Sequence, residues 1–468
     1  MKLLLTGASG FIGEALVSKL VEDGHELVLL SRAPSKLKKR YGELHTYYTW
    51  DALSGPPNKA VFDGVEGIIN LMGEGVANKR WTKKQKEKIS QSRVKGTKNL
   101  MDAAKVHARH LNVVVSASAI GYYDHFQDSI LDELSPASTG FLGKLCQRWE
   151  DAAKAIREES TVRTVIFRIG VVLGQGGGAL AKMVPPFSLG LGGKIGSGNQ
   201  WMNWVHRDDV VRLMASAIKN ETFIGNYNAV APENVQNNVF TAALGRLLRR
   251  PTFFQVPSFI MKFFLGEFSG EVLYGQKIVS NRLKETGFDF YYPDIDSALE
   301  EALSIKYIHH LGKKIRCFRF QSSFYLNQPP QMVFDFFSDA KNLEKITPPF
   351  LQFNVLSQST REIENGTIFN YRLKIRGVPI RWCSLITDWK PITSFVDTQL
   401  NGPYQVWHHT HRFIPYLTGV FIEDDVHYAL PNIPFINIFL GWYIRQDVSK
   451  IFQFRRKEIT RFFKEEAA

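Results

Sequence analysis

Three cysteines in 468 residues, Cys146, Cys317 and Cys383, are too few and too scattered for a disulfide framework or a zinc-binding spacing. A reducing compartment, the cytoplasm, is therefore the expectation. Long apolar runs are scarce as well. The opening "MKLLLTG" is too short for a secretory signal, and "IPFINIFLGWYI" falls well under the roughly 18 apolar residues of a spanning helix, so no membrane span is expected. Charge of one sign is nowhere concentrated. The net charge of +13 divides into +7 before Lys313 and +6 from there on, which suits anionic small molecules or weak association with acidic surfaces. The densest basic run, "NKRWTKKQKEKISQSRVKGTK", carries Ile89, Val94 and Leu100 along one side. It reads as a solvated helix face, and no specific nucleic-acid partner is expected. Internal repeats and low-complexity tracts are missing.

What is there begins with regular alternation. "KLLLT", "ELVLLS", "HTYYTW", "GIINLM", "NVVVSAS" and "RTVIFRIG" are apolar runs separated by helix-length segments. Runs buried on both faces, alternating with helices, indicate an α/β Rossmann-type doubly wound parallel sheet. From about residue 171 the glycine-rich "GQGGGALAKMVPPFSLGLGGKIGSGNQ" and shorter elements suggest a small substrate lobe. Residues 1–305 are expected as the first domain, 306–315 as a linker and 316–468 as a second, α+β domain. The later strands "FRFQSSFYL", "IFNYRLKI", "IRWCSLITDW", "YQVWHHTHRF" and "VFIEDDVHYAL" precede a closing amphipathic helix through Ile444, Val448, Ile451, Ile459, Phe462 and Phe463.

The chemistry starts at "TGASGFIG". Gly7 allows a tight turn, Gly10 a close approach of diphosphate to backbone, and Gly13 close packing of the first helix on the sheet. Free N–H groups at the helix start then bind phosphate oxygens. The second strand ends in Ser31 and Arg32, where an NAD site usually carries an acid for the ribose 2′-hydroxyl. A guanidinium pairs with a 2′-phosphate that an acid would repel, so NADP (NADPH) is the expected cofactor. Lys36, Lys38 and Lys39 add to the attraction or form a solvated helix start.

With "NLMGE", "SASAIGYY", "RIGVVLG" and "NWVHRDDVV", the first 300 residues resemble an extended short-chain dehydrogenase/reductase of the atypical epimerase-like kind. The resemblance implies that Gly7, Ser9, Gly10, Phe11, Ile12 and Gly13 hold the pyrophosphate, and Ser31 and Arg32 the 2′-phosphate. It places Asp51 near the adenine, and Leu71, Met72 and Gly73 along the cofactor ribose, with Ser116 and Ala117 beside them. Arg168 and Ile169 would flank the nicotinamide, and Ser118 would face it and polarise the oxygen of a carbonyl or hydroxyl small-molecule substrate. Such proteins often dimerise through two helices, and a homodimer stays open here.

One thing that family needs is missing. A Tyr with a Lys four residues later moves the proton while hydride moves at the cofactor. Aligned on "FLGKLCQRWE", the two places fall on Phe141 and Leu145, or on Leu142 and Cys146 after a one-residue shift, and no tyrosine occurs between Tyr123 and Tyr227. Lys144 is a surface residue or a cofactor hydroxyl contact. Replacement acids are Tyr122 or Tyr123, one of which points into the site unless both pack under the sheet or line the pocket, and His206, a titratable acid or a structural companion of Asp208 and Asp209. The choice lies between an oxidoreductase or epimerase with a non-standard proton donor and a non-catalytic NADP(H)-holding sensor or ligand-presenting protein.

From about Arg316 the sequence resembles the START-like helix-grip superfamily, through "PPQMVFDFFSDAKNLEKITPP", "NGPYQVWHHTHRF" and the closing helix. That resemblance implies an apolar cavity and a hydrophobic ligand. On a strand His409 and His411 share one face and His408 takes the other. Without a cysteine partner or a metal-binding spacing they read as cavity-lining or surface imidazoles, and no metal is expected.

Overall fold

In the computed structural model, which describes residues 1–77, 79–124, 129–156, 161–310, 313–375, 377–430 and 436–465, the apolar runs of the first half become one sheet. Its strands are β1 (Lys2–Thr6), β2 (Glu26–Ser31), β3 (Thr46–Thr49), β4 (Gly67–Asn70), β5 (Val113–Ala119), β6 (Arg163–Ile169) and β7 (Gly225–Ala229). They lie in the order β7-β6-β5-β4-β1-β2-β3, every neighbour parallel. The order reverses between β1 and β4, so the crevice for a ligand opens beyond the carboxyl ends of those two strands. Five helices follow the strands: α1 (Phe11–Glu22), α2 (Pro34–Tyr41), α3 (Lys83–His107), α4 (Phe141–Lys154) and α5 (Arg207–Lys219).

Strand residues alternate between the two covered faces. Leu4, Ile68 and Val114 join Leu100 and Met101 of α3 in one buried cluster. On the other face Leu3 and Val113 crowd Gly67 together with Ile218 of α5. Each fully buried Leu or Ile contributes roughly 1.5–3 kcal/mol over its exposed state, so this double layer is the main source of rigidity beneath the crevice. The seventh strand was hidden in the sequence because "GNYNA" is polar. Its Asn226 and Asn228 are engaged by side chains of the site described below.

The chain divides into two units, Met1–Leu303 and Ser304–Ala468. The second is an antiparallel sheet of β8 (Ile305–His310), β9 (Lys313–Leu326), β10 (Asn354–Gln358), β11 (Ile368–Ile375), β12 (Val378–Lys390), β13 (Ser394–Asn401), β14 (Val406–Tyr416) and β15 (Gly419–Ala429), in the order β8-β9-β15-β14-β13-β12-β11-β10. The stretch expected as a linker is therefore a hairpin of this sheet, residues 311 and 312 lying outside the described ones. Ile308 and Ile315 are cross-strand partners that pack on Cys317, Val406 and Ala429, which is why those residues pair as strands rather than run free.

One face of this sheet, through Phe324, Phe369, Ile386, Phe395 and Phe413, packs on Phe334 and Phe336 of α6 (Pro330–Phe337) and on Ile459 and Phe463 of α7 (Ile436–Glu465). Val448 of α7 is buried as the periodicity requires, Phe452 joins it, and the Ile444 side chain lies outside the described ones. Among the described residues no helix is long and apolar enough to cross a membrane.

Candidate functional site

Gly7 adopts φ 77°, a left-handed conformation suited to glycine, and its carbonyl accepts a hydrogen bond from Gly10 N at 2.9 Å. A Cβ on Gly13 would sit 2.1 Å from the Gly7 carbonyl oxygen, so only hydrogen fits there. The exposed Gly10 is the N-cap of α1 and no side chain caps the helix, which leaves N–H groups turned toward the crevice. Ser9 is exposed, and Phe11 and Ile12 are half-buried at the same turn. Helix α2 is pinned over it by Tyr41, which donates to Ala8 O at 3.0 Å, and by an Arg40–Glu14 ion pair. The Phe11 ring lies against Gly174, Gly177 and Gly178: a Cβ on Gly177 would stand 2.3 Å from Phe11 Cδ2. That contact accounts for Gly174, Gly177 and Gly178 within the glycine-rich run.

At the end of β2, Ser31 Oγ accepts from Ala33 N at 3.1 Å. Arg32 is exposed and makes no ion pair among the described residues. Asp51 is brought beside them when Trp50 N bonds to Ser31 O at 2.9 Å, but its carboxylate is engaged in its own turn, by Leu53 N at 3.1 Å and Ser54 Oγ at 3.3 Å. Leu71 and Met72 follow β4 half-buried, and Gly73 is exposed with the Arg93 guanidinium where a Cβ would go. Ser116 and Ala117 are interior strand residues; the Ser116 hydroxyl accepts from Asn70 Nδ2 at 3.3 Å and faces away from solvent. Lys144 is an exposed residue of α4.

Beyond β5 and β6 lies a closed polar network. Ser118 Oγ donates to Glu150 Oε1 at 2.8 Å. Arg168 holds the same carboxylate in a two-pronged grip, Nε to Oε1 at 2.8 Å and Nη2 to Oε2 at 2.9 Å. Its Nη1 donates to Tyr123 Oη at 2.8 Å, and Tyr123 in turn donates to Asn228 Oδ1 at 2.7 Å. Burial works against the charge of Arg168, and the Glu150 carboxylate outweighs it, so the guanidinium pKa is raised. Burial also pushes Tyr123 up to about 12 despite the Arg168 charge, and the Cys146 thiol up to about 12 with the Glu150 charge adding to it. Neither gives up a proton near neutrality. Tyr122 is the half-exposed phenol of the set, with the Arg168 guanidinium 3.4 Å from its ring centroid.

Arg168, expected to flank the nicotinamide, is 2% exposed and is the buried ion-pair partner of Glu150. Ile169, next to it, is likewise buried. Sequence reading missed Glu150, whose place at the end of "FLGKLCQRWE" was the available signal. The apolar residues read at the usual Tyr/Lys places pack as a cluster. Phe141, Leu142 and Leu145 pack with Trp81, Ile89 and Phe268, the Trp81 and Phe141 rings 5.3 Å apart.

His206 stands apart from this network. It is fully buried, its Nε2 pairs with Glu301 Oε2 at 2.7 Å, and its Nδ1 accepts from Asp208 N at 3.3 Å. With both nitrogens occupied and Tyr292 3.9 Å from its ring, it caps α5. Of the two readings of His206, this placement matches the structural companion of Asp208 and Asp209.

The second unit contains a cavity of about 70 Å³ lined by Phe336, Phe337, Ile346 and Ile386 and, at its polar side, by Tyr371, Asp397, His409, His411 and Arg455.

Residues 3–230 match the NAD dependent epimerase/dehydratase family, and residues 256–302 a domain of unknown function, DUF1731. A chloroplastic epimerase family protein SDR39U1 homolog from Arabidopsis thaliana is 37% identical over 302 residues, 64% of this chain and 86% of that protein. The chain belongs to the epimerase family. Epimerase family protein Mb2239 of Mycobacterium bovis is also 37% identical, over 63% of this chain and 95% of its own length. The crystal structure of human epimerase family protein SDR39U1 (isoform 2) with NADPH superposes with a TM-score of 0.58 at 33% identity, covering 64% of this chain and 99% of that one. A UDP-glucuronic acid 4-epimerase from Bacillus cereus, at 18% identity and TM-score 0.54, shares the fold. Within this epimerase-family chain, the family match lies on the first unit, where the glycine turn and the Glu150 network sit.

Proposed function

We propose that the first unit is an NADP(H)-binding oxidoreductase of the epimerase family, acting on a carbonyl or hydroxyl group of a small molecule with a proton donor other than the usual Tyr/Lys pair. The observation that carries it is the glycine turn at an uncapped helix start, beside an exposed Arg32 where an NAD site would hold a carboxylate. These residues fit the dinucleotide: Gly7, Gly10 and Gly13 leave room at the backbone for a diphosphate, and Ser31 and Arg32 offer a hydroxyl and a guanidinium to a 2′-phosphate. The NADPH in the human relative's structure supports the same choice. When bound, the cofactor supplies hydride transfer. In this reading Tyr122, half-exposed over the Arg168 guanidinium, donates the proton, while Ser118 and Glu150 set the position of Arg168.

Titration calorimetry with NADPH and NADH tests the cofactor. NADPH is expected to bind more tightly, and Arg32→Asp to weaken it on the order of 10- to 100-fold, since a charge-assisted contact is lost and a repulsion gained. Equal affinity in the variant refutes the role of Arg32. For catalysis, a screen of NADPH-dependent carbonyl reduction should yield an activity that Tyr122→Phe lowers roughly 100-fold or more with cofactor affinity kept.

A second reading, a non-catalytic NADP(H) sensor, is favoured by the apolar packing of Phe141, Leu142 and Leu145 where the proton-moving pair normally stands. Tight NADPH binding without turnover across the screen would select it. The second unit, read as a START-like helix-grip domain, is proposed to take a small apolar-bodied ligand in its cavity. Native mass spectrometry of the purified chain would detect the extra mass.

A further inference from the structure

We infer that His409, His411 and Asp424 of the second unit form a binding site for one divalent transition-metal ion of the zinc type. The placement follows from strand geometry. His409 and His411 are two apart on β14 and share its inner face, and Asp424 on β15 is the cross-strand partner of His411. One ligand atom from each of the three lies within 4.8 Å of the other two. His409 Nε2 is 2.8 Å and His411 Nδ1 3.1 Å from the same oxygen, Asp424 Oδ1. Donors around a four-coordinate zinc stand about 3–3.5 Å apart, so the set needs little adjustment.

Protons alone leave the cluster incompletely satisfied. All three residues are 3–4% exposed. His409 is within hydrogen-bond reach of Asp424, but His411 Nδ1, although close, is out of line and makes no hydrogen bond among the described residues. The imidazole centroids are 3.7 Å apart, a separation at which two imidazolium ions would repel strongly in these surroundings. Asp397, the cross-strand partner of His409, keeps an Oδ1 without a hydrogen bond. Two carboxyl groups, Asp397 and Asp424, lie near the Arg455 guanidinium beside the imidazoles. A divalent ion takes up both imidazole lone pairs and the carboxylate at once. Two imidazoles and one carboxylate suit zinc and its transition-metal neighbours, whereas magnesium and calcium prefer oxygen throughout. The cavity beside His409 and His411 has room for a water molecule in a remaining coordination position.

The spacing "HHTH" could not reveal this. Its third ligand comes from the next strand, and pairing register alone brings it in.

The experiment uses the full chain, dialysed against a chelator and titrated calorimetrically with zinc chloride, then with cobalt(II) followed by visible absorption. One ion per chain is expected, with the strong visible bands of a low-coordinate cobalt site. His411→Ala and Asp424→Asn should each weaken zinc by at least about 100-fold, more than loss of an outer-sphere partner does. His408→Ala, whose imidazole faces the other way toward Thr398, should leave it unchanged. Near-ultraviolet circular dichroism checks that each variant is folded. If either fails to fold, the cobalt spectrum of the unsubstituted chain decides: the weak bands of a six-coordinate aquated ion overturn the proposal. So does the lack of binding at millimolar zinc, or full affinity in the folded variants.

Discussion

Glu150 illustrates how much one side chain organises. Its carboxylate receives Ser118, both prongs of Arg168 and Asn226 Nδ2, all at 2.8–2.9 Å. Removing one partner of a buried ion pair strands the other charge in a medium that solvates it poorly. Glu150→Ala should therefore cost about 3–5 kcal/mol in urea unfolding. A double substitution with Arg168→Met should recover part of that loss, because the orphaned charge goes with it. In the sequence this residue was a letter in a motif without a role. Its pairing with Arg168 was not legible either, because it joins a helix and a strand whose approach no local pattern reports.

Elements were legible to the extent that burial wrote a period into them. Six strands of the parallel sheet stand out as apolar runs, since helices cover both their faces. The seventh did not, because Asn226 and Asn228 spend their amides inside the network. The glycine turn was readable because sterics demand it: only hydrogen fits at Gly13. Gly174, Gly177 and Gly178 carried no such signal alone and acquire a reason only with the Phe11 ring beside them. Gly177→Ala would drive a methyl into that ring, 2.3 Å from Cδ2, at a cost of about 1–3 kcal/mol if the ring must shift. A lowered unfolding temperature together with weaker NADPH binding is the expected pair of effects. A change in stability alone would separate the ring contact from the cofactor turn.

For the whole molecule, acid is the informative stress. His45 is buried between Tyr41 and Tyr47, and burial lowers its pKa from 6.5 to about 4. The unfolded chain thus binds a proton at this position that the folded chain refuses. The stability His45 contributes is present above pH 6.5 and is lost as the pH falls toward 4, at no more than about 1.4 kcal/mol per pH unit. His45→Phe should flatten the fall in urea-unfolding stability across that window, and an unchanged slope would assign the effect to other groups. A different consequence follows from β8. Ser304, at φ 56°, directly precedes that strand, and its carbonyl accepts from Arg319 N at 2.7 Å. No slack tether separates the halves in sequence. Anyone wishing to cut the gene in two has to place the scissors just after Leu303. A fragment begun at Arg316 would forfeit an edge ribbon and offer its raw hydrogen-bonding margin to the next copy in the tube.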